Sequence, residues 1–483
     1  VTCDVVVPEG ETLTIEEGVT VRFAEGVGMT CNGNLIAEGT EDDHIRFTTL
    51  SPTPLPGDWD NVELYATDNV IRHLDYEFAM DGITGDLASN TTVDHLSMNS
   101  MDLNARGVFL TNSFNMSFTG NDISVAGSYG IYCNNCDFSE YLGNEITGPD
   151  NGIHARNSSN SDFVSNEIEV QGTYGIDAYD CDFSRIDSNV VRGYDDGVQY
   201  AIYAPESYYV NIEHNDLTVF RKHGIHFQNS ANAKVNHNVV EISDSPDGGC
   251  CTPNAGIYNN ASNQFAEVRN NEVDVLDGSR YYYSGVRGIV VHDSEVIDNV
   301  VEASEEQNRY YTNAIGIHAH RSTISGNSVW VYDSGGQSDY LGTWDNYNGH
   351  GFGIGILSHG DGAPMHEISG NTIDANNHSQ GIWCTYANVH DNTLLGSGNS
   401  NDTYGIIASS QSVVQSNAIS EFRYGIDCHG ASVEIVDNMI SAERNGVRAE
   451  SVSGNYVIEG NTFNKTTTNG DWFVYLTNAA SVT

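Results

Sequence analysis

From Asn121 onward the chain repeats one short phrase: an Asn two residues ahead of Ile, Val or Leu, a polar turn, a Gly-Ile pair, and a second polar turn. The Asn recurs at 121, 144, 166, 189, 215, 238, 271, 299, 327, 371, 392, 417, 438 and 461, most often 21 to 23 residues apart. Gly-Ile pairs run alongside, from Gly130-Ile131 and Gly152-Ile153 to Gly405-Ile406 and Gly425-Ile426. A unit this short has room for three strands of three to five residues. It shows no helical period and cannot bury its apolar face alone, so it must stack on copies of itself. The expected architecture is all-β, a β-solenoid. Alternation in Ile153-His154-Ala155-Arg156 sends Ile and Ala inward and His and Arg outward. The repeated Asn suits an inward turn position, where amides hydrogen-bond along the stack as a ladder.

This pattern resembles the right-handed parallel β-helix superfamily, which includes pectate lyases, polygalacturonases, alginate epimerases, phage tailspikes and surface proteins with NosD-like repeats. The likeness is strongest over residues 121–475. The opening residues Leu13-Thr14-Ile15-Glu16-Glu17-Gly18-Val19, Gly33-Asn34-Leu35-Ile36-Ala37-Glu38-Gly39-Thr40 and Gly57-Asp58-Trp59 resemble the start of such domains in prokaryotic surface proteins. The resemblance implies a single-stranded right-handed β-helix of about seventeen coils. Residues 1–120 form irregular coils and residues 121–483 regular ones. Such motifs specify fold, and function has to be argued from sites.

Charge narrows the partners. Lys plus Arg total 19 against 66 Asp plus Glu, a net charge of −47. That excludes a nucleic-acid binder, which needs a basic footprint, and argues against an anionic membrane surface. Lys222, Lys234 and Lys465 are the only lysines, a balance suited to salty water, where charge repulsion is screened. No apolar run approaches the length of a membrane helix. Nine cysteines without a paired CxxC zinc pattern fit an oxidising compartment, and the chain reads as extracellular or cell-surface, any export signal having been removed. Cys3 and Cys31, 28 residues apart, are expected to bridge neighbouring strands, and Cys133 and Cys136 could close a turn. The apolar ends, Val5-Val6-Val7 and Trp472-Phe473-Val474-Tyr475-Leu476, suggest a piece of a larger protein or end-to-end contact with copies of itself.

Function tends to lie where a repeat departs from its consensus. Four successive units carry long loops at residues 240–255, 275–287, 302–315 and 331–352. These loops, with the neighbouring strand residue Tyr258, supply Tyr281, Tyr282, Tyr283, Tyr310, Tyr311, Tyr340, Trp344 and Tyr347 as candidate ligand contacts. Rings among carboxylates and amides suit a sugar, which has an apolar face and a rim of hydroxyls. One place after the Ile of the Gly-Ile strand stand His226, Tyr258, Val290 and His318. Three places after it stand His292, His320 and His359, expected in one outward row about 4.8 Å apart. Such a row could share a transition metal or supply a general base, with Asp293 and Asp361 as orienting partners. Lys222, in Arg221-Lys222-His223, is a second candidate base, for a lyase that would also need calcium. A polygalacturonase-like set is incomplete, since no Arg-Ile-Lys occurs, and the Asp-Pro-His tripeptide of alginate epimerases is absent. The leading expectation is a structural, adhesive or glycan-binding protein whose partner is a polysaccharide, a glycoprotein surface or itself. The alternative is a secreted polysaccharide lyase or glycoside hydrolase acting along the Gly-Ile strands.

Overall fold

The computed structural model describes residues 1–194, 197–243, 254–262, 265–277, 285–305, 314–333, 353–362, 365–397, 403–429, 432–449, 455–465, 472–477 and 481–482. Every described element is a strand, and the strands pair in parallel as a β-solenoid of about 16 turns, close to the seventeen coils expected. No helix among the described residues is long and apolar enough to cross a membrane. The chain forms two compact units, Val1–Phe220 with Gly224–Lys234, and Arg221–His223 with Val235–Thr483.

In the first unit a regular coil consists of three strands, such as Ser117–Thr119, Asp122–Ser124 and Tyr129–Asn134. Each pairs with its counterpart in the next coil, placing Ile123 beside Ile146 and Ile131 beside Ile153. Ile131, Ile153, Ile176 and Ile202 are all fully buried in one column. Each contributes about 2 kcal/mol of apolar burial. On the opposite sheet Phe118, Tyr141 and Phe163 stack inside the coil, with centroids 5.1 and 4.7 Å apart. Pairing runs unbroken across residue 120, where Val108 to Thr111 pair with Ile131 to Asn134.

Asn sits between the first and second strands of each coil, facing inward. The amide of Asn121 donates to Asn144 Oδ1 at 2.7 Å, Asn144 to Asn166 at 2.8 Å, Asn166 to Asn189 at 2.8 Å and Asn189 to Asn215 at 2.9 Å. Each also donates to a backbone carbonyl, as Asn166 does to Tyr141 O at 2.8 Å, so the buried amides are satisfied. The second unit builds its own ladder, from Asn238 to Asn271 at 3.0 Å through to Asn438 and Asn461 at 2.9 Å. The Gly of each Gly-Ile pair has a steric cause. A Cβ on Gly152 would lie 2.4 Å from Ile168 Cγ2 and 2.6 Å from Gly175 O, so at this coil glycine lets the strands close to strand spacing, while Ala201 takes the same column position one coil beyond Gly175.

The cysteines part from expectation. Cys133 and Cys136 are disulfide-bonded across their turn, with Cα atoms 5.8 Å apart. Cys3 and Cys31 are free. The register pairs Cys31 with Val7, so Cys31 points into the core while Cys3 precedes the strand Val5–Val7 and is exposed.

Candidate functional site

In the second unit the three histidines do stand in register: His292 pairs with His320 and His320 with His359. Their ring centroids are 4.1 and 6.3 Å apart. Asp293 is the orienting partner, with Oδ2 3.0 Å from His292 Nδ1, while Arg321 donates to Asp293 at 2.7 and 2.8 Å and to Asp361 at 3.0 Å. Asp361 therefore serves Arg321. Burial, then the neighbouring His292 and Arg321, lowers the His320 pKa, and burial holds that of His318 well below the usual range. The His292 and His320 rings stack instead of converging on one point. Among the described residues no group of three or more His, Cys, Asp and Glu is gathered closely enough to hold a metal ion. Beside the row the sheet is apolar and buried: Ile315, Ile354 and Leu357 pack together with Trp383.

Lys222 lies apart from the histidines. It occupies a turn at φ 59°, its backbone joined to Asn254 and Ala255, and the strand Asn254–Tyr258 lies between it and Val286–His292. Tyr258 stacks on His223 at 4.4 Å, half-buried. Tyr281, Tyr282, Tyr283, Tyr310, Tyr311, Tyr340, Trp344 and Tyr347 fall outside the described residues.

A dense constellation among the described residues lies in the first unit, on the outward side of the Gly-Ile strands. One column carries the residue after the buried Val or Ile: Phe109, Tyr132, His154, Asp177 and Tyr203, in unbroken register. A second column, two places before the Ile, carries Tyr129, Asn151, Tyr174 and Tyr200. Ring contacts put both on the same side: Tyr129 lies 4.9 Å from Tyr132 and Tyr200 4.8 Å from Tyr203. Tyr132 stacks on Phe109 at 4.1 Å and on His154 at 4.8 Å, Tyr129 leans on His154 at 5.0 Å, and Tyr174 meets Tyr203 at 4.9 Å.

Charge lies at the centre of these rings. Arg156 donates from Nε to Asp177 Oδ2 at 2.9 Å, and its guanidinium lies 5.9 Å from the Tyr174 ring and 5.5 Å from that of Tyr179. His154 Nδ1 is 2.9 Å from the same Oδ2, a charge contact out of line for a hydrogen bond. Asp177 is wholly buried, and its Oδ1 has no hydrogen-bond partner. Burial acts against the Arg156 charge, but the bond and charge of Asp177 outweigh it and raise the Arg156 pKa. Burial likewise raises the phenols of Tyr132, Tyr174 and Tyr203, which stay protonated as donors. The tyrosines and Arg156 remain half-exposed over the buried Asp177. The surface offers ring faces, hydroxyl donors and one fixed cation. Sequence reasoning began this column at His226. Its signal, a ring or ionisable group one place after each inward Ile, continues back through Tyr203, Asp177, His154 and Tyr132.

Residues 81–240 match the family described as right handed beta helix region. No curated protein matches the chain. Similar solved structures include a DFA-IIIase from Arthrobacter chlorophenolicus A6 in complex with GF2, 13% identical over 77% of this chain and 84% of that one, with a TM-score of 0.28. The PL6 family alginate lyase AlyGC is 8% identical over 100% of both chains, with a TM-score of 0.30. The Dettilon tailspike protein is 14% identical over 84% of this chain and 59% of that one, with a TM-score of 0.25. The repeat and the parallel register agree with the family match over residues 81–240, and the fold is a parallel β-helix, a β-solenoid.

Proposed function

We propose that this is an extracellular β-helix protein that binds a glycan on the outward face of its Gly-Ile strands, between Tyr132 and Tyr203. The observation that carries this reading is the set of half-exposed tyrosines Tyr129, Tyr132, Tyr174 and Tyr203 around Arg156, whose guanidinium is fixed from beneath by the buried Asp177. Ring faces meet the apolar side of a pyranose, while phenols and guanidinium donate to its hydroxyls. Arg156 arrives pre-positioned, so little ordering entropy opposes binding. The acidic composition and the cysteine usage support an extracellular setting.

The test is binding of the intact chain to a panel of neutral and acidic polysaccharides, compared with Tyr132→Ala/Tyr174→Ala and Arg156→Ala. Binding that falls about tenfold or more in both variants supports the site. Equal binding by all three proteins removes it.

A second reading, a polysaccharide-active enzyme on the same face, is favoured by the imidazole of His154 lying 2.9 Å from the Asp177 carboxylate among the tyrosine rings. New reducing or unsaturated ends in the same incubations, lost in His154→Ala, would establish it. A panel without new ends would leave the binding protein.

A further inference from the structure

A different surface of the first unit breaks a local rule of the chain. The turn after each of these strands contains two residues in the left-handed region, and down the stack the second of each pair is Asn90, Asn115, Phe138, Asn160, Phe183, Tyr209 and Asn232, with φ between 55° and 59°. Backbone bonds join them coil to coil: Phe138 N donates to Ser159 O, Asn160 N to Asp182 O and Phe183 N to Tyr208 O. Asn suits this conformation, because its side chain can bond locally, and a bulky aromatic residue does not. Phe138 and Phe183 nonetheless hold it while 60% and 61% exposed, so core packing does not explain them. Strain at an exposed apolar side chain marks a contact surface.

The spacing says what fits. Phe138 and Phe183 are two coils apart, about 9.6 Å, with exposed Asn160 on the coil between. Phe183 and Tyr209 stack at 5.1 Å with planes 6° apart, so these rings lie across the coil axis. The other face of Phe183 is thereby turned along the stack toward Asn160. Two coils of stack, about 9.6 Å, are enough for one further ring between the free face of Phe183 and Phe138, at about 4.5 Å from each. The turn residues 134–139, 157–160, 179–184 and 205–209 contain no Lys or Arg and carry Asp137, Asp180, Asp182 and Glu206. Asp137 and Asp182 each use one oxygen on a backbone N–H, of Ser159 and Tyr208, and keep the other for a hydroxyl donor. This chemistry opposes a uronate or sulfated polymer and suits an uncharged sugar.

We propose that the slot between Phe138 and Phe183, floored by Asn160, holds one pyranose unit of a neutral polysaccharide. The site uses other residues than the Tyr132–Arg156 face, which borders it where Arg156 lies 5.5 Å from the Tyr179 ring, and does not depend on it.

The experiment is affinity electrophoresis of the intact chain in gels containing hydroxyethyl cellulose, xyloglucan, galactomannan, laminarin or dextran. It compares the parent protein with Phe138→Asn/Phe183→Asn and with Asn160→Phe. The first variant installs the residue this turn otherwise uses, so its melting temperature should hold or rise. The second fills the slot while leaving both walls. Retardation of the parent by at least one neutral polymer, reduced about tenfold or more in both variants, is expected. Tyr132→Ala/Tyr174→Ala should be retarded like the parent, which separates this site from the other. A parent that no neutral polymer retards, or variants retarded equally, would overturn the proposal. So would a Phe138→Asn/Phe183→Asn variant that changes only sedimentation, since the slot would then serve a second copy of the chain.

Discussion

Arg156 and Asp177, one coil apart, meet at a single oxygen: the Nε and Nη2 of the guanidinium reach Asp177 Oδ2 at 2.9 and 2.8 Å, and the carboxylate is wholly buried. The anion is thus held inside while the cation reaches the surface, its side chain 37% exposed. Replacing Asp177 with Ala removes the support and leaves Arg156 free to turn toward water. The expected cost is about 1 to 3 kcal/mol, below that of a fully buried pair because Arg156 can be solvated. Urea denaturation of Asp177→Ala against the parent measures it, and an unchanged midpoint would show that the pair contributes nothing net.

The Asn ladder should be far less tolerant. Asn166 accepts from the backbone and side chain of Asn144 and donates to Asn189 and Tyr141 O, all in the core. Asn166→Ala strands several of these groups at once. A loss of about 2 to 4 kcal/mol is expected, read as a lower urea midpoint. A loss below about 0.5 kcal/mol would mean that the ladder relaxes around the gap.

Gly152→Ala tests close approach at the Gly-Ile strand. The new methyl would meet Ile168 Cγ2 at 2.4 Å and the backbone oxygen of Gly175 at 2.6 Å. A side chain can turn aside, but a paired backbone cannot, so a loss of about 1 to 3 kcal/mol is expected from overpacking. The melting temperature should fall several degrees, and a melt coincident with the parent would contradict the steric reading.

His366 gives a pH signature in the second unit. It is buried, with Nε2 2.7 Å from Ser358 Oγ, and burial, reinforced by His320, lowers its pKa to about 4. An exposed imidazole titrates near 6.5, so below that pH the unfolded chain binds the extra proton and stability falls as pH drops toward 4. By pH 5 about 2 kcal/mol is lost through this group. Melting curves from pH 7 to 5 should therefore fall more steeply for the parent than for His366→Gln. Parallel curves would show that His366 does not titrate there.

The free thiols differ in reach. Cys3 is exposed, whereas burial pushes the Cys31 thiol up to about 12. Alkylation of the folded chain at pH 8, mapped by mass spectrometry, should label Cys3 and spare Cys31 until denaturant is added. Protection of both without reductant would restore the bond between them.

The sequence by itself determined the solenoid. A unit of about two dozen residues cannot close a core, so periodic Asn, Gly and Ile leave stacking as the solution, and each of these residues has a steric or hydrogen-bonding cause read from the period. The same period placed His292, His320 and His359 side by side. Tertiary structure decided what such rows become. Stacking of the His292 and His320 rings is set by rotamers and by Arg321 and Asp293, which spacing does not encode. The Val7–Cys31 register left Cys3 without its expected partner, because a few residues of offset move a side chain from core to solvent. The Tyr132–Arg156 face needs two columns, one two places before the inward Ile and one a single place after it, which strict alternation would send to opposite sides; only the folded strand brings Tyr129 and Tyr132 together, their rings 4.9 Å apart.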